Sequence, residues 1–219
     1  RLRPFAGGKL FASYNTGKKS VALDLKTDGG REQARRLAAR ADVLIESFRP
    51  GVMARLGLGY NDICRINERI IYCSISGFGQ QSDRSLLGSH DVNYMALSGV
   101  LAQLVDKSGR PVHPKVTFAD FIGGMAAAER ILAALFARER TGKGAHLDVS
   151  LVDGLTAMMA GHFAIEHGGG PKNGLMELAG EVVCYQLYET KDGRYMSLAA
   201  LEPHFWRQFC EAVGRPEWT

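Results

Sequence analysis

The chain has 219 residues, 46% of them hydrophobic and 23% charged, with 27 basic residues against 23 acidic ones and a net charge of +4. That length permits one large domain, or a domain and a half, with a core of its own, and no apolar run is long enough to span a bilayer, so no membrane contact is expected. The mild positive bias suits a polyanionic small ligand; the basic residues are dispersed and match no nucleic-acid motif, so no nucleic-acid partner is expected.

In chain order, residues 20–25 alternate towards a short strand, and Asp28-Gly29-Gly30 forms a turn that also caps the segment after it. From Arg31 the apolar positions Ala34, Leu37, Ala38 and Ala41 recur at helical spacing, and Val43-Leu44-Ile45 then reads as a buried strand. A further helical stretch lies near residues 61–67, and residues 70–75 form the next strand. Residues 92–104 are helical in pattern, and residues 122–140 make a long Ala-rich amphipathic helix with Gly142 as its stop. A short strand over 147–150 and a helix over 152–166 come next. The small-residue stretch 167–174 is a linker, after which residues 182–188 and 195–199 pair as a hairpin around Lys191-Asp192-Gly193, and residues 205–213 are helical.

Strand and helix alternating in this way predict an α/β fold with a Rossmann-like parallel sheet, whose ligands gather at the carboxyl ends of the strands. Ser47-Phe48-Arg49-Pro50-Gly51 and Ser76-Gly77-Phe78-Gly79 both fall there. The four cysteines, Cys64, Cys73, Cys184 and Cys210, have no metal spacing, and no metal site is expected. Their small number fits a reducing compartment, the cytoplasm or, in a eukaryote, an organelle matrix.

Two glycine-flanked segments carry the chemistry: Gly88-Ser89-His90-Asp91-Val92-Asn93-Tyr94, and Phe118-Ala119-Asp120-Phe121-Ile122-Gly123-Gly124. An imidazole titrates near neutrality, and a nearby carboxylate can share its proton traffic or act as a nucleophile. A His-Asp dipeptide can equally be a solvated turn or a helix N-cap. Lys18, Lys19, Lys26, Arg49 and Arg55 offer cations for a phosphorylated ligand, and Gly51, Gly77 and Gly79 offer close backbone approach; solvated surface cations are the other reading. His113, His146, His162, His167 and His204 read as structural or surface residues, and Met158, Met159, Phe205 and Trp206 as core.

These segments, with Asn15-Thr16-Gly17-Lys18-Lys19-Ser20-Val21-Ala22-Leu23-Asp24-Leu25-Lys26, Glu46-Ser47-Phe48-Arg49-Pro50-Gly51-Val52, Leu56-Gly57-Leu58-Gly59, Arg140-Thr141-Gly142-Lys143-Gly144 and Leu201-Glu202-Pro203-His204-Phe205-Trp206, resemble the family III CoA-transferases (CaiB/BaiF) and their α-methylacyl-CoA racemase branch. The resemblance runs through nearly the whole chain. It implies that Leu23, Lys26 and Arg55 contact the CoA nucleotide as in the transferases and Arg49 as in the racemases, with Lys18, Lys19, Gly77, Gly79 and Tyr94 as further binding residues. Asp120 matches the aspartate that transferases use as a nucleophile, through an aspartyl anhydride and an aspartyl-CoA thioester, and racemases use for proton transfer. His90, in a Gly-x-His-Asp-x-Asn-Tyr setting, is racemase-like; Asp91 falls near a carboxylate implicated in the formyl-CoA transferases or else orients His90; Glu202 matches a racemase glutamate that tunes the histidine.

Racemisation next to a thioester needs two groups of suitable pKa on opposite sides of one carbon, a role open to His90 and Asp120. The enolate between the two steps needs a hydrogen-bond donor, such as a backbone N–H near Asp120 or at Ile122. Transferases that handle oxalate carry a run of four glycines where this chain has Ala179-Gly180, which favours the racemase branch. The resemblance therefore implies a racemase of 2-methylacyl-CoA thioesters, with a CoA-transferase or a protein that only binds CoA esters as the alternatives. It implies no cofactor beyond coenzyme A as part of the acyl-CoA substrate, and a homodimer with interlocked subunits. The expected layout is a large CoA-binding domain over 1–166, a linker over 167–180 and the beginning of a smaller α+β domain over 181–219. Against the family pattern the opening strand–helix–strand is missing, so the chain reads as the middle of a longer polypeptide.

Overall fold

The computed structural model describes residues 8–170 and 175–219 and gathers the β-branched runs of the sequence into a parallel sheet. Helix α1 (Lys9–Tyr14) comes first, then α2 (Asp28–Ala38), β1 (Val43–Glu46), the one-turn helices α3 (Val52–Arg55) and α4 (Tyr60–Ile63), and β2 (Ile71–Ser76). Helices α5 (Asp91–Ser98) and α6 (Phe118–Thr141) carry the chain across to β3 (Ala145–Ser150), followed by α7 (Leu151–Met158) and α8 (Ala160–His167). Strands β4 (Tyr185–Glu189) and β5 (Tyr195–Ala199) form an antiparallel hairpin beside α9 (Pro203–Ala212).

The sheet order is β1-β2-β3, all parallel, with Val43 opposite Ile71 and Ile71 opposite Ala145. Because side chains alternate along a strand, Ile71, Cys73 and Val149 share one face and bury themselves against Ala127 and Ile131 of α6. Tyr72 points to the other face, where Ala38, Leu58 and Ile63 cover it. Both faces carry helices, so a strand such as Ile71-Tyr72-Cys73 reads as continuously apolar. A third cluster of Met95, Ala119, Leu155 and Met159 locks α5, α6 and α7 together beside the strand ends. Each of its fully buried aliphatic side chains contributes roughly 1.5–3 kcal/mol.

Two contacts set the far end of the sheet. Arg138, buried on α6, donates to the Asp42 carbonyl at 3.3 Å, the Arg69 carbonyl at 3.0 Å and the Asp42 carboxylate at 2.9 Å, which ties α6 to the starts of β1 and β2. Gly144 lies so close to the Ile70 carbonyl that any Cβ would collide with it. Gly142, at φ 72°, stops α6 in the left-handed conformation glycine favours.

Several sequence expectations change in the folded chain. Residues 20–25 form no strand: they pair with neither of the outer edges, β1 and β3, that the sheet leaves open among the described residues, and Val21 is exposed. Asp28-Gly29-Gly30 is the first turn of α2, capped by the Thr27 hydroxyl, which accepts from the Gly30 amide at 3.1 Å. The helix near 61–67 shrinks to the single turn of α4. Gly99, at φ 87°, ends α5 before residue 104, and Met159 separates α7 from α8 within 152–166. The long helix begins at Phe118, four residues before Ile122, which draws Asp120 into its first turn. Strand β4 starts at Tyr185 rather than at 182. Met158 and Phe205, read as core, are 53% and 47% exposed, because each points away from the face its helix buries. Within the linker expected at 167–180, residues 171–174 lie outside the described residues.

Candidate active site

His90 is the N-cap residue of α5, in extended backbone at φ −133° and ψ 171°. Its main chain does the capping: the His90 N–H donates to Asn93 Oδ1 at 3.2 Å, and the Asn93 N–H donates to the His90 carbonyl at 2.9 Å. The ring is exposed and makes no hydrogen bond among the described residues, which leaves both nitrogens available. Two neighbours hold the loop before it. Tyr94, buried edge-on against Phe78 at 5.4 Å, donates its hydroxyl to the Ser89 carbonyl at 3.0 Å. The Arg49 guanidinium lies against Gly88, with Nη2 2.8 Å from where a Cβ would stand.

Asp120 stands in the first turn of α6, and its amide donates to Asp91 Oδ1 at 3.1 Å. Desolvation by the surrounding protein pushes the Asp120 carboxyl up from its ordinary value; the Asp91 carboxylate adds to the rise and His90 opposes it. Burial raises the Tyr94 phenol, and the charge of Asp120 raises it further. His90, Asp91, Tyr94 and Asp120 thus form one electrostatically linked cluster at the start of two helices. An imidazole and a carboxyl displaced towards neutrality, held in one place, make a pair suited to moving protons.

The remaining candidates fall into three places. Arg49 and Arg55 follow β1, with Arg55 at the end of α3 and its Nη1 3.2 Å from where a Cβ on Gly51 would stand. Leu23, half-buried, shares a shallow hollow with Val21, Arg36 and Leu37 of the α2 region, and the Lys26 side chain is exposed just before that helix. Lys18 folds back to donate to the Tyr14 carbonyl at 2.9 Å and Asn15 Oδ1 at 3.1 Å, and Lys19 is exposed. Gly77 and Gly79 follow β2: the Tyr94 ring lies directly on Gly77, while Gly79, at φ 80°, lets the Gln80 amide donate to Asp148 Oδ2 at 2.8 Å. Glu202 is an exposed N-cap residue of α9, and among the described residues no hydrogen bond or ion pair joins residues 175–219 to residues 8–170.

A polar cavity of about 280 Å³ also opens at the strand ends, lined by Glu46, Arg49, Tyr60, Ser74 and His146 among others. His146, read from sequence as structural or surface, stacks on Tyr60 at 4.9 Å and meets Ser74 Oγ at 3.1 Å through Nε2. A period-two run of polar residues, His146, Asp148 and Ser150 on β3 beside Ser74 and Ser76 on β2, marks this face in the sequence.

The family described as CoA-transferase family III matches residues 2–219. The chain belongs to that family. It is 41% identical over 202 residues to a protein named alpha-methylacyl-CoA racemase from Homo sapiens, which covers 90% of this chain and 53% of the relative. It is 34% identical to the acetyl-CoA:oxalate CoA-transferase of Acetobacter aceti, covering 98% of this chain and 56% of that one. The crystal structure of a CAIB/BAIF family protein from Brucella suis superposes with a TM-score of 0.81 at 32% identity, over 93% of this chain and 54% of the other. The chain therefore spans about half the length of the relatives it matches. Among the described residues no helix is long and apolar enough to cross a membrane, and no group of three or more His, Cys, Asp or Glu side chains is arranged to hold a metal ion.

Proposed function

We propose that this chain carries the proton-transfer centre of an enzyme that interconverts the epimers of 2-methylacyl-CoA thioesters. The observation that carries the reading is the hydrogen bond from the Asp120 amide to Asp91, the residue next to His90, which holds an imidazole-bearing residue and a raised carboxyl within one cluster. One group removes the proton α to the thioester, and the other returns a proton to the opposite face; reversing the roles serves the other epimer. Desolvation raises the Asp120 carboxyl and makes its anion a stronger base, which suits it to take the proton α to the thioester. Arg49, Arg55 and Lys26 are the proposed phosphate contacts of the CoA moiety, and no cofactor beyond that CoA is required. A homodimer is the proposed way to bring Glu202 to the site.

Relatives named as CoA-transferases, at 34–35% identity over nearly all of this chain, favour a second reading in which Asp120 is a nucleophile and CoA passes to a free carboxylate. Incubating a pure 2-methylacyl-CoA enantiomer in deuterium oxide separates the two. Deuterium entering the α position without any acceptor acid is the expected result; turnover only when an acceptor acid is added favours the transferase, and binding without either supports a protein that only holds CoA esters.

A further inference from the structure

We infer that Asp91 is a positioning residue for Asp120: from the start of α5 its carboxylate caps the first turn of α6, and so fixes the separation between the backbone of Asp120 and that of His90. Its catalytic consequence rests on the proton-transfer reading above; its geometry does not. The first amides of any α-helix lack partners within the helix, and α6 begins without a side-chain cap, because the Thr117 hydroxyl makes no such bond. The Asp120 amide is met instead by Asp91 Oδ1 at 3.1 Å, from 29 residues earlier in the chain.

Asp91 is free to do this because α5 is capped by the His90 main chain and the Asn93 side chain. It is also joined to His90 by a peptide bond, which holds successive Cα atoms about 3.8 Å apart. One peptide bond, the short Asp91 side chain and one hydrogen bond therefore join the backbone of His90 to that of Asp120. The sequence suggests that Asp91 orients the His90 ring, yet among the described residues no hydrogen bond joins the two side chains.

The same carboxylate acts electrostatically. An anion at the positive end of α6 is favourable for the helix, and it sits beside Asp120, whose carboxyl it helps to raise. The other titratable groups facing this corner are His90, which opposes the rise, the Tyr94 phenol on α5, and Tyr14 of α1, whose ring meets the neighbouring Phe121 at 6.3 Å. Helix α7 packs against this corner through the apolar Leu151, Val152 and Leu155, and its Asp153 lines a hollow with Ile122 and Met125 of α6.

Two substitutions separate position from charge. Asp91→Ala removes both, and should speed hydrogen exchange of the Asp120 amide about tenfold or more. It should also lower kcat for α-proton exchange by about ten- to a hundredfold, with KM within about twofold. Asp91→Asn keeps an oxygen acceptor, so amide protection and most of kcat should survive. Its acid limb should move to lower pH, because Asp120 loses the neighbouring negative charge. Thr117→Ala, which removes a hydroxyl that caps nothing, should change neither readout. Unaltered Asp120 amide exchange in Asp91→Ala, or an unmoved acid limb in Asp91→Asn, would overturn the inference. If the wild-type protein exchanges no α-proton at all, the proton-transfer reading fails, while the amide measurement still decides the role of Asp91.

Discussion

Gly77 offers the sharpest test of how the site is built, because its lack of a side chain has two competing explanations. A glycine beyond a strand end can admit a ligand, or it can admit another part of the protein. Here the Tyr94 ring occupies the space, and a Cβ on residue 77 would collide with its hydroxyl and ring carbons. Gly77 is not among the glycines with positive φ, so Gly77→Ala meets steric crowding and no backbone strain. Forcing a methyl group into a packed site costs about 1–3 kcal/mol. For a domain of this size, about 2 kcal/mol lowers Tm by about 4–8 °C. Tyr94 cannot retreat without straining its bond to the Ser89 carbonyl, so the substitution should also disturb the His90 loop and reduce kcat. Denaturant unfolding of Gly77→Ala, Tyr94→Leu and the double variant measures the coupling directly. In the Tyr94→Leu background the cost of the added methyl should fall below about 0.5 kcal/mol, since the clashing ring is gone. Equal costs in both backgrounds, or a higher KM for acyl-CoA with unchanged stability, would refute the packing role.

His90→Ala should leave Tm nearly unchanged, because the ring is exposed and bonds to nothing among the described residues, while α-proton exchange falls by about two to four orders of magnitude; normal exchange would remove His90 from the mechanism. Asp120→Asn should make the fold more stable at neutral pH. The folded carboxyl lies above its ordinary 3.8, so ionising it costs stability as pH rises through the folded-state value, and the gain should fade as pH drops towards 3.8. Melting curves from pH 3 to 8 check this, and a gain that grows towards acid pH would contradict it. Lys26→Ala and Arg55→Ala should raise KM for acyl-CoA and leave KM for a truncated pantetheine thioester nearly unchanged; equal losses on both substrates would count against a nucleotide role.

The parallel sheet is readable because helices cover both faces of β2, so Ile70-Ile71-Tyr72-Cys73 stands out as an unbroken apolar segment; β1, which reads as buried, is an edge strand and leaves Ile45 58% exposed. The stop of α6 at Gly142 was equally plain. Residues 20–25 form no strand because alternation records only a local preference: the outer edge of β1 is open among the described residues, yet this segment does not pair with it. His90 and Asp120 were visible as residue types within glycine-flanked segments. What joins them was not, because Asp91 bonds to Asp120 across 29 residues and no local pattern records such a bond. Tyr94 and Gly77 show the same limit. Both belong to the candidate binding set, and the folded chain presses one directly on the other. His146 reads as structural or surface, and its contacts come only with the sheet register, which sets it opposite Tyr72 and within reach of Ser74.

The central claim is that Asp120 moves protons and does not form a covalent bond to the acyl group. The most direct measurement incubates the protein with a single 2-methylacyl-CoA enantiomer in deuterium oxide, quenches with hydroxylamine, and records the mass of both the substrate and the peptide spanning residues 116–130. Proton transfer by Asp120 leaves the substrate heavier by one deuterium and the peptide unmodified. A hydroxamate mass on Asp120, with no deuterium in the substrate and turnover that depends on an acceptor acid, would contradict it.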